Sequence, residues 1–261
     1  MGVFRFNFDK PGPGVLKNEP RKKGALRFIE VFTGGFGNLI KVNLLFSISV
    51  FPSAAVFLAG LFGYFESLAL ILSLIVALPT GGAVCATMFC ITKMLCDDPS
   101  FIWHDFKRKY KENVKQAALP GVFSTAFIYA QIYLWNSILF GGFSIGFGAA
   151  VLEVISLLVF GMIVPCTFIQ IAYIELRLRQ IIKNSILISL VNAPRIFMGV
   201  LTSSIIWVAF VMFLPVSLLF VPIILLFGFS LSWLLNLMWI WPPINRQFAI
   251  EESIYKRCSL Y

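Results

Sequence analysis

The 261-residue chain is 59% hydrophobic and 13% charged, with mean hydropathy +0.89 and formal net charge +9. Soluble domains carry about 25% charged residues, so a water-soluble globule is excluded: too few polar side chains are available to cover the apolar ones. The positive charge does not argue for nucleic acid, because lysine and arginine fall in the N-terminal tail and between apolar runs, where topology determinants lie.

Residues 1–30 read as a polar cytosolic tail with Pro11-Gly12-Pro13-Gly14, the basic run Arg21-Lys22-Lys23 and no apolar signal-peptide core. Six apolar runs follow at about 39–62, 68–94, 121–140, 145–172, 197–214 and 218–241. Most reach the roughly 20 residues that a bilayer span needs. Short turns around Gly63–Ser67, Gly141–Ser144 and Pro215–Ser217 pair them into three hairpins, and longer connections at about 95–120 and 173–196 join the hairpins. The three turns carry none of the 21 lysines and arginines. The positive-inside rule then predicts that both termini and both long connections are cytoplasmic. The expected fold is an all-α membrane protein: a tail (1–30), a domain of six transmembrane helices in three hairpins (31–245), and a cytosolic C-terminal tail (246–261).

The first long connection has helical periodicity over about 98–118. Asp98 is an N-cap type and Pro99 suits the first helical position. Ile102, Trp103, Phe106, Tyr110, Val114 and Ala117 recur at helical spacing, and His104, Asp105, Lys107, Arg108, Lys111 and Lys115 are expected to face away. This predicts an amphipathic helix along the bilayer surface or under the bundle. A second, more apolar segment at about 175–193 places Arg177, Arg179 and Lys183 before Asn184. Candidate residues for docking to a partner or the membrane are Trp103, Asp105, Phe106, Lys107, Arg108, Tyr110, Lys111, Asn113, Lys115, Lys183 and Asn184. A weak repeat links Lys41-Val42-Asn43, Lys111-Glu112-Asn113 and Lys183-Asn184, each followed by a proline (Pro52, Pro120, Pro194).

Within the spans, Glu153 is the acidic residue farthest from either end. Intramembrane carboxylates are costly, and Glu153 reads either as functional or as an interfacial group hydrated from the nearby turn. Asn43, Gln131, Asn136, Gln170 and Asn236 read first as interhelical hydrogen-bonding groups. Pro52, Pro79, Pro165 and Pro222 remove backbone donors and favour kinks, which either shape a bundle or mark broken helices at a binding site. Cys85, Cys90, Cys96, Cys166 and Cys258 lack a CxxC spacing, and His104 is the sole histidine. The cysteines therefore read as small apolar fillers, with no metal or cofactor expected. The sequence contains no G-x-x-x-x-G-K-[ST], H-E-x-x-H or G-x-S-x-G, so neither ATP-driven transport nor enzymatic chemistry is expected.

The stretch Phe101-Ile102-Trp103-His104-Asp105-Phe106, continuing through Tyr110-Lys111-Glu112-Asn113-Val114-Lys115-Gln116, resembles the cytoplasmic segment of YesL-like bacterial membrane proteins. Asn43-Leu44-Leu45-Phe46 with Pro52, Leu178 to Ser185, and Ala193-Pro194-Arg195 extend the resemblance over roughly residues 30–245. Pro79-Thr80-Gly81-Gly82-Ala83 stands where that family has a G-P-A type turn, a departure from its pattern. The resemblance implies a six-helix protein of the Gram-positive plasma membrane, encoded beside carbohydrate ABC importers and without established chemistry. The expected function is an accessory or assembly subunit of such an importer. Its partners would be the bilayer, the permeases, the ATPase and the solute-binding protein. An autonomous small-solute transporter or channel is the alternative, and a membrane sensor a third reading.

Overall fold

The computed structural model describes residues 22, 24–61, 63, 66–98, 101–139, 142, 144–212, 222 and 224–252. Among these residues every regular element is helical. In chain order they are α1 (Ala25–Gly34), α2 (Phe36–Leu61), α3 (Glu66–Val76), α4 (Thr80–Leu95), α5 (Ile102–Leu139), α6 (Phe147–Tyr173), α7 (Leu178–Val191), α8 (Ala193–Met212), a π-turn (Ile224–Gly228) and α9 (Phe229–Phe248).

Among the described residues four helices are long and apolar enough to cross a membrane: α2, α5, α6 and the π-turn with α9. Two bent pairs, α3/α4 at 47° and α7/α8 at 95°, bring the number to six if each pair is one span. The first bend falls at Pro79, between Val76 and Thr80, where a missing backbone donor interrupts the helical ladder. Pro52, Pro120 and Pro165 lie inside unbroken helices. The turn expected at Pro215–Ser217, Cys258 and most of both tails lie outside the described residues.

The third span and the amphipathic helix expected before it are a single 38-residue helix, α5. Lys, Arg, Glu, Gln and Ala dominate 107–118, all good helix formers, and the helix runs on through the Pro120-Gly121 pair that separates that stretch from the apolar one. Pro120 removes one intrahelical bond, but the helix on both sides of it is held against α4. Gly121 lies on Gly81: a Cβ on Gly121 would meet Gly81 Cα and N at 2.6 Å, and one on Gly81 would run into the Ala117 carbonyl. A Cβ on Gly82 would meet Val114 Cα at 3.1 Å. This Gly-Gly pair therefore lets two backbones touch, the close packing that small residues allow between membrane helices.

The second amphipathic segment forms α7, which runs back along α6. Gln170 Nε2 donates to Ser185 Oγ at 2.8 Å and Ser189 Oγ donates to the Met162 carbonyl at 3.1 Å. Asn192 then ends α7, and α8 leaves across the bend.

Packing is uneven along the bundle. Ala83, Met88 and Ile91 on α4, Phe168 and Ile169 on α6, Leu234, Leu237, Ile240 and Ile244 on α9, and Leu39 and Val42 on α2 are buried in one cluster. The other half displays Phe51, Leu58, Leu72, Ile75, Phe123, Leu152 and Val159 on its surface. Exposed apolar area on that scale needs a cover, and a lipid bilayer is the solvent that fits helices of this length.

Candidate functional site

Several basic residues of the first connection gather at the end of the bundle where α4 finishes and α5 begins. Antiparallel packing of α4 on α5 brings Lys93 Nζ to 2.9 Å from Asp105 Oδ2, with Asp98 at 3.4 Å on the same ammonium. Arg108 Nη2 donates to the other Asp105 oxygen at 3.2 Å. Asp105 is 5% exposed and lies in the first turn of α5, where the helix dipole also favours a carboxylate. This corrects the sequence expectation that Asp105 faces outward with His104 and Lys107. Lys109 pairs with Glu112 at 2.9 Å and lies 4.9 Å from the Phe89 ring centroid, a cation–π contact.

The apolar stripe also differs from the expected one. Ile102 and Phe106 are buried, Tyr110 is half-buried and stacks on Phe106, and Val114 and Ala117 follow against α4. Trp103 does not belong to it: it is 67% exposed, on the same outer side as His104, Lys107, Arg108, Lys111 and Lys115. The reason is angular. Three and four residues are the steps that keep a helical face; Trp103 to Phe106 satisfies that spacing, but Ile102 to Phe106 satisfies it too, and the inner face follows the second register. Asn113 is buried and donates to the Lys109 carbonyl of its own helix at 2.9 Å. Pro99 lies outside the described residues, and the helix starts at Ile102.

Lys183 and Asn184 are on α7, which packs on α6 rather than on α5, so they lie apart from the α5 residues. Lys183 is exposed and Asn184 half-buried. The link between the regions is Gln116, whose Nε2 donates to the Leu176 carbonyl at 2.6 Å.

Two features of this end escaped sequence reasoning. Arg27, counted as a topology charge, is 8% exposed and reaches from α1 to the last turn of α4. Its Nη2 donates to the Leu95 carbonyl and to Asp97 Oδ1, both at 2.7 Å, while Nη1 donates to Glu30 at 2.8 Å. A cation on terminal helix carbonyls satisfies acceptors that lack intrahelical partners. Second, the chain after α9 turns at Ala249 and returns to the same place. Glu251 Oε1 accepts from Trp241 Nε1 at 2.8 Å and from Cys96 Sγ at 3.4 Å, and Asn245 Oδ1 accepts from the Glu251 backbone at 2.9 Å. A buried arginine in a basic tail, or a glutamate next to a C-terminal helix, carries no periodic signal that would have singled it out.

The intramembrane candidates separate. Asn43 is fully buried and holds the π-turn: its Nδ2 donates to the Leu225 carbonyl at 2.6 Å and its Oδ1 accepts from the Ser230 N–H at 2.7 Å. Leu225 and Ser230 are five residues apart, the step of a π-turn, and the carboxamide bridges their backbone groups. Gln131 on α5 and Glu153 on α6 each bury one Oε1 without a hydrogen-bond partner. The two helices face each other here, with Phe127 stacked on Phe160 at 3.9 Å. Asn136 is half-buried on the same stretch of α5. Asn43 does not join them. Ser53, ten residues farther along α2 (about 15 Å at 1.5 Å per residue), is the residue level with this part of α5, where it hydrogen-bonds Tyr129 at 2.7 Å.

Cys85, Cys90, Cys96 and Cys166 are buried free thiols. No group of His, Cys, Asp and Glu with metal-binding proximity occurs among the described residues.

No family model, curated protein or solved structure matches this chain. The class defined by fold and site is an all-helical protein with four to six candidate membrane-spanning helices and an ion-paired cluster at one end.

Proposed function

We propose that this chain is a multi-pass plasma-membrane protein, with both termini cytoplasmic, that acts as an accessory or assembly subunit through surface contacts rather than catalysis. The observation that carries the reading is the start of α5. There Trp103 and Phe101 stand exposed beside Lys107, while ion pairs with α4 and a buried Phe106 fix the helix behind them. Exposed tryptophan on a rigid support is the side chain that most often anchors an interface, and an aromatic flanked by lysine complements an acidic partner surface. The carbohydrate ABC importer is the partner implied by the YesL-like resemblance.

An autonomous small-solute transporter remains the second reading. Gln131 and Glu153 favour it, since buried polar atoms without partners inside a membrane mark functional positions by default. Affinity purification of the tagged chain in mild detergent, beside reconstitution alone in liposomes, separates the two. The accessory reading expects permease subunits to co-purify and Trp103→Ala with Lys107→Glu to abolish that without loss of monodispersity. Sugar flux through liposomes holding this chain alone would replace it with the transporter.

A further inference from the structure

We propose that Lys111 and Lys115 on α5 bind the phosphate headgroups of anionic phospholipids, while Lys107 and Trp103 stand beyond the headgroup layer. The charges of α5 divide by face. Asp105, Arg108, Lys109 and Glu112 are engaged in ion pairs, whereas Lys107, Lys111 and Lys115 make none among the described residues. Like charges at i, i+4 repel on a helix, and an external anion on this row relieves that repulsion.

The same face identifies that anion. Four residues advance a helix by about 6 Å and rotate it by only about 40°, so the row continues from Lys115 into Leu119 and Phe123, which are 69% and 70% exposed. Leu119 to Leu139 rises about 30 Å, the thickness of a hydrocarbon core. A second helix places the boundary at the same height. The Ser53–Tyr129 hydrogen bond levels α2 with α5. Leu44, the last exposed apolar residue before exposed Lys41, lies about 14 Å below it, and Leu119 about 15 Å below it. With the hydrocarbon edge at Leu119, Lys115 is about 6 Å outside it along the helix, within the interfacial layer, whereas Lys111, at about 12 Å, meets phosphate by turning its flexible four-carbon stem back toward the bilayer. Lys107 at about 18 Å and Trp103 at about 24 Å lie past an interfacial layer about 5–7 Å thick. Lipid therefore takes the upper half of the row and leaves the lower half free.

The test is amine acetylation of the full-length protein in nanodiscs of phosphatidylcholine with and without phosphatidylglycerol, mapped by peptide mass spectrometry. Phosphatidylglycerol is expected to reduce labelling of Lys111 and Lys115 severalfold and to leave Lys107 unchanged, and inorganic phosphate added to pure phosphatidylcholine discs is expected to protect neither. Native mass spectrometry supplies a second readout: Lys111→Gln with Lys115→Gln should lose retained phosphatidylglycerol, and the double arginine variant should keep it. Equal labelling in both discs overturns the proposal. So does parallel protection of Lys107, or protection by free phosphate. Protection that appears only with a co-purifying protein makes the row a protein-docking surface and also overturns it.

Discussion

Asn43 and Ser230 lie 187 residues apart in sequence and are joined by a 2.7 Å hydrogen bond from the Ser230 N–H to the Asn43 side chain. Together with the Leu225 carbonyl on Nδ2, this bond ties the N-terminal third of α2 to the π-turn and the start of α9. Asn43→Leu removes both side-chain hydrogen bonds, each worth about 0.5–1.5 kcal/mol. The variant is expected to unfold well below the native protein in detergent thermal scans, with Asn43→Asp, which keeps the acceptor, falling between them. An unchanged midpoint for Asn43→Leu would mean that the π-turn does not need the amide.

The glycine contact between α4 and α5 sets a steric prediction. Gly81→Ala and Gly121→Ala each put a methyl into the facing backbone, where nothing yields as a flexible side chain would. Overpacking of this kind costs about 1–3 kcal/mol or more. Gly148→Ala, which meets nothing within 4 Å on α6, is the control and should be neutral or slightly stabilising, because alanine is the better helix former. Comparable destabilisation of all three by circular dichroism melting would remove the close approach as the cause.

Asp105→Ala strands Lys93, whose side chain is 13% exposed, with only the longer Asp98 contact. Breaking a buried pair from one side costs about 3–5 kcal/mol; the remaining Asp98 contact places this change at or below the lower end. Arg108→Gln touches the same carboxylate from the exposed side and should cost well under about 1 kcal/mol. Urea or thermal denaturation of the two variants ranks them, and an equal cost for Arg108→Gln and Asp105→Ala would show that Arg108, not Lys93, holds Asp105.

The α1 anchor should respond to acid. The hydrogen bond from Arg27, together with Lys22, holds the Glu30 carboxyl below its ordinary value of 4.5, against partial desolvation. A carboxyl depressed in the folded state stabilises fully above its unfolded value, and that contribution fades as pH falls through the folded value. Fluorescence anisotropy of a dye on Thr33→Cys should therefore report a loosening of α1 below the ordinary glutamate range. Glu30→Gln should remove that transition, and an identical acid transition in the variant would place its origin elsewhere.

Orientation is read by labelling intact cells. Ser67→Cys, beside the α2–α3 turn, is expected to react with an impermeant thiol reagent, and Lys109→Cys is expected to stay unlabelled until the membrane is opened. The opposite pattern would put the ion-paired end outside the cell and remove the cytoplasmic partner from the proposal.

Much of this protein is determined by local composition. Apolar runs of bilayer length fix helices wherever they occur, since an exposed backbone has no hydrogen-bond partner in hydrocarbon, and lysine-free turns against lysine-rich connections carry the expected sidedness. The break at Pro79 was legible only as one of several candidate kinks, since Pro52 and Pro165 lack the same N–H inside unbroken helices. Faces and partners were not. Asp105 and Trp103 exchanged the sides expected of them because several registers satisfy one helical period, and packing of α4 on the Gly81–Gly121 contact selects one. The continuity of α5 through Pro120, the burial of Arg27 on the end of α4, and the seat of Asn43 in a π-turn 182 residues away each depend on a second segment arriving at a given distance. Periodicity along one chain segment holds no information about that distance; only the tertiary structure supplies it.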